Sequence, residues 1–425
     1  MLHKSPLQFN YIPYPLWRRR VPRWINATLR PIWQRLYPLG VDDHPPVDAA
    51  SMADVMIQHG LLPDHSLPDI YAALRDSKAD IQAQLPHAPT FTDAAPAQPI
   101  RLPAQWEPME AVIVNWPVMY PPLWDLHAQM VEAIAPVAQA VVTVPAPMWG
   151  HAAWVYLQAR ARLGDFADNI RFMVIPTDDI WVRDYGPIIG FDTDGQRVAL
   201  DAVYDHKPIY PQQRDDAMPQ HWAAYTQTPV YPLRLHTEGG NLWTDGAGTL
   251  LMTEQIFVEN PAYDRAQLED YLHSVFVYDK LIITPRMHIE ATGHIDLLLK
   301  LVNANTVMVS ADTALMTNAL RTTAKLFAHE TNAKGDPYTV HMLPTPELYF
   351  NWFAYPIRRS YTNALTINGR VLLPVYGVHT DDAAVRIYEQ AMPDHIIIPI
   401  DCKVGANGGG AVHCMTKEVP RQIGV

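Results

Sequence analysis

Cys414 ends the stretch Gly405-Ala406-Asn407-Gly408-Gly409-Gly410-Ala411-Val412-His413-Cys414, where four glycines precede a single thiol. Glycine lets a backbone turn tightly or lie close to another group, at a conformational cost that needs a reason. One reading makes Cys414 a nucleophile. The other makes it an inert, buried thiol after a glycine-rich turn, since free cysteine is among the most buried residue types. Three more polar clusters carry groups that could serve a nucleophile: Asp178-Asp179-Ile180-Trp181-Val182-Arg183-Asp184-Tyr185-Gly186-Pro187, Glu238-Gly239-Gly240-Asn241 and Gly293-His294-Ile295-Asp296. His294 and Asp296 are two apart, so in an extended segment they share a face and form an acid–base and cation-binding pair. The alternative for them is a surface salt link. Asp184 stands beside Arg183, which also fits a structural ion pair, and Glu238 before two glycines also fits a turn.

These clusters lie at the ends of apolar runs that read as strands, the usual place for a site on a rigid scaffold. Strands are expected at Ala111-Val112-Ile113-Val114, Val141-Val142-Thr143-Val144, Ile170 to Ile175, Leu250 to Thr253, Leu281-Ile282-Ile283, Thr306 to Val309 and His395 to Ile398. Helices are expected over 123–140 and from Asp381 to Met392. Thr362 to Pro374 reads as a hairpin turning at Asn368-Gly369, the favoured two-residue turn. Asp245-Gly246-Ala247-Gly248 reads as a second turn. Strand pairs with a helix recur at a spacing of very roughly 60 residues, which predicts an α/β domain of several similar modules.

The chain of 425 residues divides on this reading into an N-terminal extension, 1–98, and a main domain, 99–425. Ser51-Met52-Ala53-Asp54 resembles a capping box opening a helix that Gly60 ends. Tyr71, Leu74, Ile81 and Leu85 have the spacing of a second helical stripe. His87 to Pro103, rich in Pro, Ala and Thr, reads as a linker. The first forty residues carry Lys4, Arg18, Arg19, Arg20, Arg23, Arg30 and Arg35 and no acid, mixed with aromatics. They fit an arm for an anionic surface, an acidic partner or a substrate peptide, or a segment packed on the protein's own acidic body.

Net charge is −12, which argues against general nucleic-acid binding and suits cationic substrates. No apolar run approaches the roughly 20 residues of a membrane span. Pro6, Pro13 and Pro15 interrupt any secretory signal, and two cysteines make no disulfide framework, so a reducing cytoplasm is expected. There is no CxxC pair and no HExxH, so the common zinc spacings are missing.

Taken in order, the Arg-Asp loop, Glu-Gly-Gly, Gly-His-Ile-Asp and Gly-Gly-Gly-x-x-His-Cys resemble the agmatine deiminase and Porphyromonas-type peptidylarginine deiminase family of the pentein superfamily. Leu102-Pro103-Ala104-Gln105-Trp106-Glu107-Pro108, Thr249 to Glu254 and Ser360-Tyr361-Thr362-Asn363 add to the resemblance, which covers 102 to about 418. It implies an α/β fold, a pseudo-fivefold propeller of ββαβ modules around a central site, here preceded by a small, mostly helical extension. It implies that Asp184 and Asp296 clamp a substrate guanidinium and that Cys414 attacks its central carbon. His294 then protonates the departing ammonia and activates water against the thiouronium, and Glu238 keeps His294 protonated. Trp181 and Asn363 would contact substrate, and no cofactor or metal would be needed. His413, next to the nucleophile, is left out because an extended segment would aim it the other way. Met109 departs from the histidine common in relatives, which puts substrate contacts from that strand in doubt.

Nothing in the four motifs reads the far end of the substrate. The Arg183-Asp184-Tyr185-Gly186-Pro187 form and the long extension lean slightly toward an arginine-containing peptide or protein, with agmatine the alternative. An amidinotransferase, passing the thiouronium to an amine, and a silent guanidinium-binding protein are the other classes.

Overall fold

The computed structural model describes residues 48–58, 72–74, 81–82, 94–118, 121–177, 179–204, 213–287, 292–311, 317–350 and 356–422. The basic, aromatic segment 1–40 lies outside them. The chain enters through helix α1 (Ala49–Gln58) and a two-residue strand β1 (Ile81–Gln82). Ile81 therefore does not continue a helical stripe from Leu74. It pairs with Phe172 as part of the end strand of a sheet. Met52, Ala53, Met56 and Leu74 are buried in the same core as the main body's strands.

From there one pattern repeats. β2 (Met109–Asn115), helix α2 (Trp124–Ile134) and β3 (Gln139–Val144) place β2 and β3 parallel, and helix α3 (Pro147–Arg160) leads to β4 (Ile170–Val174), parallel to β3. The sequence expects α2 to run to 140. It ends at Ile134: Ala135 still has helical angles, but Pro136 has no N–H to continue the ladder. A one-turn helix α4 (Val182–Tyr185) precedes β5 (Ile188–Phe191) and β6 (Arg197–Val203), then helix α5 (Met218–Thr226) and β7 (Val230–His236).

β8 (Trp243–Thr244), β9 (Thr249–Thr253), helix α6 (Arg265–Val275) and β10 (Lys280–Thr284) follow. Then come β11 (Leu299–Asn303), β12 (Thr306–Ser310), helix α7 (Thr317–Phe327) and β13 (Thr339–Leu343). After a short pair, β14 (Tyr349–Phe350) and β15 (Pro356–Ile357), the last group is β16 (Leu365–Ile367), β17 (Arg370–Val375), helix α8 (Asp381–Ala391) and β18 (Ile396–Asp401).

In four groups the first two strands are antiparallel and the third, reached through a helix, is parallel to the second. The first group has the same form once β19 (Thr416–Pro420) returns from the C-terminus to pair antiparallel with β2. The ends of the main body thus share a sheet of order β1-β4-β3-β2-β19. A mixed α/β fold of several small sheets results. The β16–β17 turn adopts positive φ at Asn368 (42°) and Gly369 (80°), as a two-residue turn of this kind requires.

Trp116, Trp124, Trp149 and Tyr156 meet edge-to-face in the largest core, beneath α2 and α3. Ile100 and Leu102, from the stretch read as a linker, pack with Leu268, Leu272 and Phe276 in a second core. No helix among the described residues is long and apolar enough to cross a membrane.

Candidate active site

Four strand connections converge. Asp184 rides on α4, Glu238 follows β7, His294 caps a single 3-10 turn that carries Asp296, and Cys414 lies just before β19. All five are buried. His294 and Asp296 do not share the face of an extended segment: His294 is extended, and the chain then winds into the turn Ile295–Leu297. They reach one site because the turn swings the carboxylate round.

The two glycines after Glu238 serve close approach. A Cβ on Gly240 would lie 2.5 Å from His294 Nδ1 and 2.8 Å from Asp184 Oδ1. Without one, the Gly240 N–H donates to Asp184 Oδ1 at 3.2 Å. His294 sits between two acids, with Nε2 2.8 Å from Glu238 Oε2 and Nδ1 3.5 Å from Asp184 Oδ1. Burial alone would lower its pKa, but Asp184, Glu238 and Asp296 together raise it to about 10, so the ring is an imidazolium at neutral pH. Arg183 does not pair with Asp184. It turns away to Glu418, with Nη1 to Oε1 at 3.1 Å and Nη2 on Oε2.

Asp296 has two different oxygens. Oδ2 meets His413 Nδ1 at 2.7 Å and Cys414 Sγ at 3.6 Å, whereas Oδ1 has no hydrogen-bond partner among the described residues. Burial and the Asp184 charge raise this carboxyl to about 7, against the opposing pull of His294 and Arg183. Burial, then Asp296 and Asp184, also push the Cys414 thiol up, while the Asn363 hydrogen bond works the other way.

Asn363 holds the nucleophile's loop. Its Oδ1 accepts from the N–H groups of Ala411 (3.0 Å) and Cys414 (3.2 Å), its carbonyl accepts from His413 N–H (3.1 Å), and its Nδ2 donates to Sγ at 3.1 Å. The same segment ties down the turn carrying Asp296, through Thr362 Oγ1 to the Asp296 carbonyl (2.8 Å) and Ser360 Oγ to the Leu297 carbonyl (3.1 Å). The glycine loop closes on Trp181. A Cβ at Gly408 or Gly410 would come within 2.5 Å of that ring, and at Gly410 also within 3.0 Å of Sγ. Cys402, the other thiol, is fully buried in the core, where burial pushes its pKa up.

Sequence reasoning missed His413. The chain turns at 412–415, so the side chain is not sent away as in a strand, and its ring contacts Asp296 and stacks on Trp243 with centroids 4.9 Å apart. It also missed a buried set behind this ring. Lys300 Nζ donates to Gln105 Oε1 and the Ala364 carbonyl, both at 2.8 Å, and lies 5.1 Å over Trp243. A cavity of about 60 Å³ is lined by Arg183, Gly239, Trp243, His413, Lys417 and Glu418, and by none of Asp184, His294, Asp296 or Cys414. The only advance signal was Gln105 in the Leu102-to-Pro108 motif. Met109 is buried in the main core, its N–H held by Asn368 Oδ1 at 2.9 Å.

Asp184, Glu238 and His294 offer three atoms within 4.8 Å of one another, a spacing open to a metal. A protonated His294 has no lone pair to give, so an ion there would compete with both the proton and the pair to Glu238.

A buried thiol flanked by carboxylates, one with an unpartnered oxygen, is a site for a planar organic cation with an electrophilic carbon. The protein is a cysteine-dependent, guanidine-modifying hydrolase of the deiminase class. A family model for Porphyromonas-type peptidyl-arginine deiminase matches residues 101–420, and the chain belongs to that family. It is 29% identical to the agmatine deiminase of Pseudomonas aeruginosa (strain LESB58) over 365 residues, 78% of this chain and 98% of that one. It is also 29% identical to the agmatine deiminase of Stutzerimonas stutzeri (strain A1501) over 352 residues, 75% and 95% of the two chains. The structure of the agmatine deiminase of Enterococcus faecalis has the same fold, with a TM-score of 0.69 at 21% identity over 76% of this chain and 96% of that one.

Proposed function

We propose that this protein hydrolyses the guanidinium of agmatine, giving N-carbamoylputrescine and ammonia through a thiouronium on Cys414. The unpartnered Oδ1 of Asp296, buried beside the thiol, carries this reading. A guanidinium stays protonated and needs carboxylates at its N–H edges, because an unpaired buried charge is prohibitively costly. Asp296 and Asp184 supply them.

The bound cation lowers the Cys414 pKa, so the thiol loses its proton to water with substrate in place and the thiolate attacks the central carbon. His294, held protonated by Glu238, gives its proton to the departing amine, then takes one from the water that hydrolyses the adduct. Trp181, against Gly408 and Gly410, walls the thiol. Asn363 supports the sulfur by its N–H. The five strand groups suit a pseudo-fivefold propeller around this centre, with 99–425 as the catalytic unit and 1–98 as an N-terminal extension.

The sequence leans slightly to peptidyl-arginine. The curated relatives, named agmatine deiminases and matched over nearly their whole length, favour the smaller substrate. Ammonia release is measured from agmatine, free arginine and an arginine-containing peptide, beside Cys414→Ser. Turnover of agmatine that the serine variant loses is expected. Turnover that survives the substitution overturns the mechanism, and turnover of the peptide alone overturns the substrate.

A further inference from the structure

His413 has no part in the chemistry above, yet among the described residues it is the one side chain besides Cys414 that hydrogen-bonds Asp296 Oδ2. Asp296 must bind the substrate cation as an anion, with Oδ1 outward. A carboxylate buried among acids resists ionising and is free to turn about its own bond unless something takes the other oxygen. We propose that His413 is the positioning residue of Asp296: its Nδ1–H donates to Oδ2, which holds the group ionised and presents Oδ1 to the guanidinium.

The role needs the proton on Nδ1, and the surroundings select that tautomer. Among the described residues Nε2 is buried without a hydrogen-bond partner, in a ring that lines the cavity with Arg183, Lys417 and Glu418; Arg183 has only N–H groups to give, and both Glu418 oxygens already accept from Arg183. A water in that cavity, or the Lys417 head itself, meets an acceptor at Nε2, and the proton is left to Nδ1. Burial first, then the charges of Arg183, Lys300, Lys417 and His294, keep the ring from taking a second proton, while burial lowers Lys300 and Lys417 themselves to about 7. The stack on Trp243 fixes its plane. The order is cavity donor, His413, Asp296, guanidinium, each link setting the hydrogen of the next. Third-group orientation of this kind is how catalytic acids and bases are normally held.

The inference rests on the proposed deiminase reaction, and its test separates the two. kcat/KM for agmatine is followed against pH in the wild type and in His413→Phe, His413→Asn and His413→Gln. The other charged groups that face Asp296 and His413 are His294, Asp184, Cys414, Arg183, Lys300 and Lys417, of which burial lowers the two lysines to about 7, and all remain in every variant. Phenylalanine keeps the stack on Trp243 but removes the donor. It should raise the acid limb by about one to two pH units, the size of a lost hydrogen bond to a charged group, and raise KM more than it lowers kcat.

Asparagine places an amide N–H where Nδ1 was and should return the limb toward the wild type. Glutamine, which reaches toward the Nε2 position, should not. An unshifted limb in the phenylalanine variant, or equal recovery by glutamine and asparagine, overturns the assignment. A wild type that releases no ammonia from agmatine overturns the underlying reaction instead.

Discussion

Replacing Glu238 by glutamine tests what keeps His294 an acid. The substitution removes a charge while leaving an acceptor where Oε2 lies 2.8 Å from Nε2. In the native site burial lowers the imidazolium's pKa and the acids Asp184, Glu238 and Asp296 lift it to about 10. A hydrogen bond to a charged group is worth about 1.5–3 kcal/mol, which is about one to two pKa units. Asp184, 3.5 Å from Nδ1, remains and limits the fall. The variant's alkaline limb should therefore drop to between about 8 and 9, since a histidine that loses an anionic partner releases its proton at lower pH.

At pH 9 a fall of two units takes the protonated fraction from about nine-tenths to about one-tenth, a loss of about tenfold in kcat/KM. At pH 7.5 both forms are mostly protonated and the rates converge. Initial rates of ammonia release from agmatine, taken from about pH 6 to about 11, read this directly. An alkaline limb that stays put in Glu238→Gln, with activity lost equally at every pH, refutes the assignment of Glu238 as the group that holds the proton on His294.

Other expectations follow from single contacts. Glu418→Gln leaves Arg183 buried without its anion and should cost about 3–5 kcal/mol in urea unfolding, and a change under about 1 kcal/mol contradicts the pairing. Arg183 and Lys417 hold the Glu418 carboxyl at about 2 against its burial, so its contribution is present above about pH 4.3 and lost as pH falls toward 2. Gly410→Ala puts a Cβ 2.5 Å from the Trp181 ring and 3.0 Å from Sγ, so kcat should fall about 100-fold for an ångström of displacement, with circular dichroism unchanged. Wild-type rate with that alanine overturns the account of the loop.

The hairpins and central strands were legible in the sequence because their signals are local. Asn368-Gly369 turns where its residue types require, and the runs at 109–115, 139–144 and 249–253 fold as strands. Helix α3 gave no such signal: Trp149, Ala152, Ala153, Trp154, Val155, Tyr156 and Leu157 are buried around most of its circumference, so no apolar stripe marks one face. The site's members were legible as residue types near glycines. Their geometry was not, since it depends on the turn at Ile295–Leu297 and on the bend at 412–415. Both break the alternation assumed for an extended chain, and so Asp296 joined the site and His413 was overlooked. The glycines of Glu238-Gly239-Gly240 looked like turn formers. Their function is steric, and only their neighbours show it: His294 and Asp184 at Gly240, the Arg183 carbonyl and Lys417 Nζ at Gly239.

The balance of charge also accounts for release of product under the proposed reaction. Asp184, Glu238 and Asp296 face one cation, His294, so the pocket is anionic when empty, and burial with those acids keeps Cys414 a thiol. A guanidinium brings the missing positive charge to Oδ1 of Asp296 and makes the thiolate accessible at the moment its own carbon is within reach. Hydrolysis turns that cation into a neutral urea. The carboxylates that gripped the substrate then hold a group without charge, and the thiol again stands among anions and regains its proton. The attraction is strongest for the charged forms along the reaction and weakest for the product, the order a turning-over enzyme needs. A ligand with the same shape but no charge, such as the ureido product itself, should therefore bind the Cys414→Ser variant more weakly than agmatine by at least about 100-fold, since charged hydrogen bonds at two carboxylates are lost. Equal affinities in calorimetry would show that shape, and not charge, selects the substrate.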